Sequence, residues 1–151
     1  MSDSQMRVKM IDVGNKPIVM REAVATGRIF LKKETITLIR EGRIKKGNPL
    51  QIAQIAAINA AKMTPTLIVL CHQIPLTYVE CEFLLTSDSI EATCTVRTRA
   101  QTGVEMEALV GVTTALNTIW DMTKYIEKDK DGQYPSTKIT DIRVLSKTKM
   151  K

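Results

Sequence analysis

Residues 79–97, VECEFLLTSDSIEATCTVR, decide the fold. Val79, Cys81, Phe83 and Leu85 alternate with Glu80 and Glu82. After the polar Thr86–Ser89, Ile90, Ala92, Cys94 and Val96 alternate with Glu91, Thr93, Thr95 and Arg97. Period-two alternation puts one set of side chains on a buried face and the other towards water, and two such runs joined by a short polar loop form an antiparallel hairpin.

On either side the period changes. Upstream, Asn48 stands as an N-cap before Pro49, and Leu50–Met63 is rich in Ala, which predicts a helix ended by Pro65. Its apolar residues run almost all the way round, so the expectation is a helix packed from two sides, by this chain or by a second subunit. The run LIVLCHQIPL (67–76) that follows is read as an apolar connection through the interior. Downstream, Thr102 and Glu105 have the spacing of a capping box, and no breaker interrupts a helix from Gly103 to about Glu127. Leu109, Val112, Leu116 and Ile119 share one face of it; Glu107, Thr114, Asn117, Asp121 and Lys124 line the other.

Further out, Met20–Leu31 alternates weakly, with Glu22, Val24, Thr26 and Arg28 on one face, and reads as the first strand. Glu34–Glu41 reads as a short helix stopped at Gly42, and Thr137–Lys147 as a last strand with a bulge. The order β, α, α, β, β, α, β is an α+β, ferredoxin-like arrangement: an antiparallel sheet packed with helices, with one extra helix in the first half. Residues 1–17 read as a partly extended arm, 18–148 as the single domain and 149–151 as a tail.

Composition narrows the function classes. Of 151 residues, 44% are hydrophobic and a quarter charged, which is globular and excludes a disordered or disulfide-stapled chain. No window approaches the roughly 18 apolar residues of a membrane span, and MSDSQMRVK lacks the apolar stretch of a secretory signal, so the expected location is cytoplasmic. Cys71, Cys81 and Cys94 are odd in number and lack CxxC spacing, which points to reduced thiols. The net charge of +6 calls for an anionic partner without naming it.

Each candidate residue has an ordinary reading beside a chemical one. His72, the only histidine, is a satisfied buried imidazole or a catalytic or phosphate-binding one. No metal is read, because one Cys-His dipeptide lacks the other half of a four-ligand site. Asp121 and Lys124 are a surface ion pair or, beside a cleft, an acid and base tuned by one another. Arg43, Lys45, Lys46 and Gly47 are a solvated basic loop or a phosphate site at a helix start, and not a Walker loop, since GxxxxGK[ST] is missing.

Whole strings carry a resemblance. MIDVGNKPIVMREAVATGRI (10–29), KKGNPLQIAQIAAINAAKMT (45–64), LIVLCHQIPLTYVECEF (67–83), TGVEMEALVGVTTALNTIWDMTKYIEKD (102–129) and IRVLSK (142–147) resemble, in order, blocks of the molybdenum cofactor biosynthesis protein C family, the cyclic pyranopterin monophosphate synthases. The resemblance covers roughly Met10–Lys147, and LCH and TGVEMEAL are its most distinctive strings. It implies a ferredoxin-like lyase of molybdenum cofactor synthesis. Such an enzyme turns 3′,8-cyclised dihydro-GTP into cyclic pyranopterin monophosphate and expels pyrophosphate.

By matching positions, the resemblance implies that Asp121, Lys124 and Lys46 are catalytic. It also implies that Leu70, Cys71 and His72 contact substrate, that Met106 and Glu107 line the opposite wall supported by Glu105, and that Arg21, Lys62 and Lys147 meet the phosphates. It implies no cofactor; magnesium on the phosphates is compatible with it but is not readable from sequence. It further implies a homohexamer built as a trimer of dimers, with sites at subunit boundaries. The chain departs from the family pattern at Gln73, where Pro is usual, at Ala57 for Gly, at Gln101 for Lys, in a longer Asp129–Thr137 stretch and in ending SKTKMK.

Two other classes compete. A ferredoxin-like sheet that binds RNA stacks bases on exposed aromatics, and only 4% of this chain is aromatic, so no nucleic-acid partner is expected. An inactive, purely structural family member is the third reading, opposed by the presence of Asp121, Lys124, Lys46 and His72.

Overall fold

A computed structural model of the chain describes residues 6–150; the first five residues of the expected arm and the last residue of the expected tail lie outside the described residues. The elements are β1 (Val19–Phe30), α1 (Lys33–Arg40), α2 (Pro49–Lys62), α3 (Thr64–Leu67), β2 (Leu76–Leu85), β3 (Ser89–Ala100), α4 (Glu105–Glu127) and β4 (Lys138–Met150). The sheet is antiparallel with order β2-β3-β1-β4, the ferredoxin-like order. The expected hairpin is present: Thr86 N donates to Ser89 O at 2.8 Å, and Cys81 faces Cys94 across the ladder, both thiols free and buried.

Ala23, Ala25, Ile29, Ile90, Ala92, Cys94 and Val96 face a core completed by Ala53, Ala57 and Ala61 of α2 and by Val112, Leu116 and Ile119 of α4. Small residues set the spacing. A Cβ at Gly111 would stand 2.8 Å from Cys94 Sγ and 3.3 Å from the Ala57 carbonyl, so α4 passes close to both the sheet and α2. The other sheet face carries the polar set expected of β1, paired with β3: Glu22 with Arg97 at 2.6 Å and Arg28 with Glu91 at 2.9 Å.

Asn48 caps α2 as expected, its side-chain oxygen accepting from Leu50 N and Gln51 N, with Pro49 in the first turn. Within the chain α2 is covered on one side, where its alanine stripe meets α4, while Ile52 and Ile55 stay 45% and 57% exposed on the other. Other expectations fail for reasons of packing. Pro65 opens the one-turn α3 instead of closing α2, which Met63 caps. The 67–76 run does not cross the interior: α3 turns the chain outward to reach the edge strand β2, leaving Leu67, Ile68, Val69 and Leu70 exposed.

The Thr102–Glu105 capping box does not form. The helix starts at Glu105 with Val104 as its N-cap, two residues later than a Thr102 cap requires, and Glu105 meets Lys147 of β4 through one oxygen at 3.3 Å while the other is buried without a partner. Strand β4 is bulged as expected, with register shifts opposite Val24/Ala25 and Thr26/Arg28 and with Asp141 at φ 59°, and it continues to Met150 through residues read as a tail.

Candidate active site

The 41–48 loop turns at Gly42 (φ 68°) and Gly47 (φ 116°), left-handed conformations that glycine adopts without strain. Tyr125 holds it on α4, its hydroxyl accepting from Lys45 N at 2.9 Å while the Lys45 ammonium sits over its ring, and the Asn48 cap ties its end to α2. The loop thereby delivers Lys46 to Asp121, Nζ to Oδ2 3.0 Å, and Nζ also donates to the Asp121 carbonyl at 3.3 Å. The other carboxylate oxygen receives Lys124 Nζ at 2.9 Å, one helical turn along.

Hydrogen bonds from Lys124 first and Lys46 second hold the Asp121 carboxyl below the usual range. The same bond, from the other side, raises Lys124. Near neutral pH the group is an ionised carboxylate beside a firmly protonated Lys124. Asp121 and Lys124 open onto a cavity of about 470 Å³ completed by Asn117, Trp120, Tyr134 and Ile139.

A second cluster gathers at the start of α4. Leu70, Cys71 and His72 line a cleft with Met106, Glu105 and Gly103. Glu107 lies beneath it, 1% exposed, where its Oε2 accepts from Cys71 Sγ at 3.8 Å and its Oε1 is buried without a partner. Burial raises the Glu107 pKa, and burial followed by the neighbouring Glu107 charge pushes the Cys71 thiol up to about 11, so Cys71 is a protonated thiol and not a nucleophilic thiolate. His72 Nε2 donates to the Ile11 carbonyl of the N-terminal arm. Next to this cleft, Arg21 and Lys147 meet with Lys16 and Lys149 around Gly103. The Arg21 guanidinium is fixed by the carbonyls of Ala100 at 3.1 Å and Gln101 at 3.3 Å.

The expected residues are thus brought together in two groups. Lys46, Asp121 and Lys124 form one; Arg21, Leu70, Cys71, His72, Glu105, Met106, Glu107 and Lys147 form the other. Lys62 joins neither and sits exposed in the last turn of α2. Glu107 is also corrected: it is not on an open polar face with Asp121, because the Cys71 segment covers that side of α4 at its start and leaves it open further on. Fourteen residues of helix separate the two, about 21 Å at 1.5 Å per residue. Among the described residues, no group of three or more His, Cys, Asp or Glu is placed to hold a metal ion.

A sequence model described as the MoaC family matches residues 10–149. The chain belongs to the MoaC family. MoaC relatives include a probable cyclic pyranopterin monophosphate synthase of Pyrococcus abyssi, 61% identical over 94% of this chain and 89% of that protein. One from Thermococcus kodakarensis bearing the same name is 61% identical over 94% and 91%. A Methanothermobacter thermautotrophicus protein named a probable cyclic pyranopterin monophosphate synthase accessory protein is 58% identical over 95% and 90%.

Sequence reasoning overlooked several residues of this MoaC chain. Tyr125 holds the Lys46 loop, Lys16 and Lys149 extend the basic cleft, and Trp120 and Tyr134 wall the Asp121 cavity. Tyr134 lies in the Asp129–Thr137 stretch, noted from the sequence only for its length; the one local signal was an aromatic after a Gly-containing bend. No helix among the described residues is long and apolar enough to cross a membrane.

Proposed function

We propose that this chain is a cyclic pyranopterin monophosphate synthase, a pyrophosphate-releasing lyase of molybdenum cofactor synthesis acting on 3′,8-cyclised dihydro-GTP. The observation that carries the reading is the carboxylate of Asp121 bridging Lys46 and Lys124 at the mouth of a cavity. Closing the cyclic phosphate forms one P–O bond and breaks another, and the pyrophosphate takes the electron pair of the broken bond. Cations that meet this developing charge, already fixed in place, stabilise the transition state without reorganising. Lys124 enters as an acid, able to give a proton to an opening ring or a departing oxygen, while Asp121 stays ionised and aims both ammonium groups. Arg21 and Lys147, beside Lys16 and Lys149, suit the triphosphate. The reaction has no net oxidation or reduction, so these side chains supply its chemistry without a redox cofactor; magnesium would serve only as a counter-ion on the phosphates.

Glu107 and Asp121 stand about 21 Å apart along α4, comparable with the whole length of a fully extended nucleoside triphosphate, so a cyclised one bridges the two groups poorly within a single chain. We therefore read the working site as composite, the Lys46–Asp121–Lys124 group of one copy facing the His72–Arg21–Lys147 group of another, in a homo-oligomer of the hexameric, trimer-of-dimers kind. A nucleic-acid role is disfavoured. On the sheet face away from the core, Glu22 and Glu91 neutralise Arg97 and Arg28, and Arg97 covers the ring of Tyr78. A cytoplasmic location fits a substrate derived from GTP.

Incubating the purified protein with the cyclised nucleotide and following pyrophosphate and pterin by chromatography tests the reading. Both products are expected. Binding without turnover would leave a non-catalytic family member, and neither binding nor turnover would overturn the assignment.

A further inference from the structure

The cavity at Asp121 has a wall that the catalytic residues do not explain. Tyr134 and Trp120 approach with ring centroids 5.0 Å apart and planes inclined by 58°, and both rings line the cavity beside Lys124 while staying only half-buried. Two anchors fix the segment that carries Tyr134. On one side, Asp129 closes a turn: its side chain accepts from Asp131 N and Gln133 N, both at 2.9 Å, and its own N donates to the Gln133 carbonyl at 2.9 Å, with Gly132 at φ 77°. On the other side, Thr137 donates to Glu127 Oε1 at 2.6 Å. Glu127 is fully buried and bonded through both oxygens, the other accepting from Lys32 N at 3.0 Å and from the Thr35 hydroxyl. The two anchors fix where Tyr134 stands beside Trp120.

We infer that Tyr134 is a substrate-contacting residue: its ring face takes the planar part of the guanine-derived ring, and Trp120, inclined to it, closes the corner of the cavity while Asp121 and Lys124 act on the ring. Glu127 is the positioning residue that sets the wall. The inference rests on the reading of the Asp121 site given above. A stacked base is held by face-to-face contact that an aliphatic side chain cannot reproduce, so loss of the Tyr134 ring weakens binding about tenfold.

Trp120 is the chain's single tryptophan and reports on its own wall. Rapid mixing with the cyclised GTP-derived nucleotide gives a tryptophan fluorescence transient in the wild type. Its half-saturation rises about tenfold in Tyr134→Leu and Tyr134→Ala, with KM rising in parallel and kcat changing less. Gln133→Ala, an exposed neighbour outside the cavity, matches the wild type. Tyr134→Leu keeps an apolar cover on Trp120, and thermal melting verifies that it folds. An unchanged half-saturation in folded Tyr134→Leu, or no transient in the wild type, overturns the inference. A wild-type transient without pyrophosphate release overturns the reaction proposed above and leaves Tyr134 to be decided by the variants' half-saturation.

Discussion

Lys46 and Asp121, separated by 75 residues of sequence, meet at 3.0 Å because a loop pinned at both ends lies across the open part of α4. The pair and its partner Lys124 are exposed, so screening by water leaves them little part in stability. On the proposed reading their value is chemical. Lys46→Ala, Lys124→Ala and Asp121→Asn should therefore fold and assemble as the wild type does while losing at least about a hundredfold in turnover. Product formation measured beside thermal melts checks this, and a fully active Lys124→Ala would remove Lys124 from the mechanism.

The cap on α2 links helix stability to the position of Lys46. Asn48→Ala removes the acceptor for Leu50 N and Gln51 N and should cost about 1 kcal/mol. The same change loosens the end of the loop two residues from Lys46, so activity should fall more than Asn48→Asp, which retains an acceptor. Urea denaturation and steady-state rates on both variants separate the two effects.

Glu107 gives a pH signature. Burial raises its folded pKa above the ordinary 4.5, so the folded state holds the proton more tightly than the unfolded state. Stability is then unaffected by this group below pH 4.5 and falls as pH rises from there through the raised value. Relative to wild type, Glu107→Gln should gain stability progressively across that window and show no such gain in more acidic solution. Denaturation midpoints for both proteins at several pH values provide the comparison, and a difference independent of pH would sink the assignment.

At Gly111 the core has no room. Ala there gains about 1 kcal/mol of helix propensity but forces Cys94 and the α2 backbone apart, an overpacking cost of roughly 1–3 kcal/mol. The net effect should be destabilising, measured by chemical denaturation. Gly42→Ala, with open space around its Cβ position but a left-handed backbone, should suffer from conformation alone.

What the sequence disclosed was local. Asn48 followed by Pro49, and the alternation through the β2–β3 hairpin, need only neighbouring residues to be read, and both stand in the structure. The Thr102–Glu105 box failed because the helix starts at Glu105 itself, behind Val104, and that acid turns to Lys147, 42 residues downstream, which no window on the segment contains. The exposure of 67–70 likewise depends on where the chain must go next and not on its apolar composition. In the candidate site, matched blocks pointed to Lys46, Asp121 and Lys124, whereas Tyr134 needed the tertiary fold: its place beside Trp120 is set by Glu127 and Asp129, one on each side of the bend.

Strand β4 has a bearing on solubility. It is an edge of the sheet, kinked where Asp141 turns left-handed, and Lys138, Arg143, Lys147 and Lys149 lie along it. A second β4 laid alongside would bring cation against cation over a broken ladder of hydrogen bonds, so runaway strand addition of the amyloid type is discouraged at this border. Growth of the sheet by strand addition ends there.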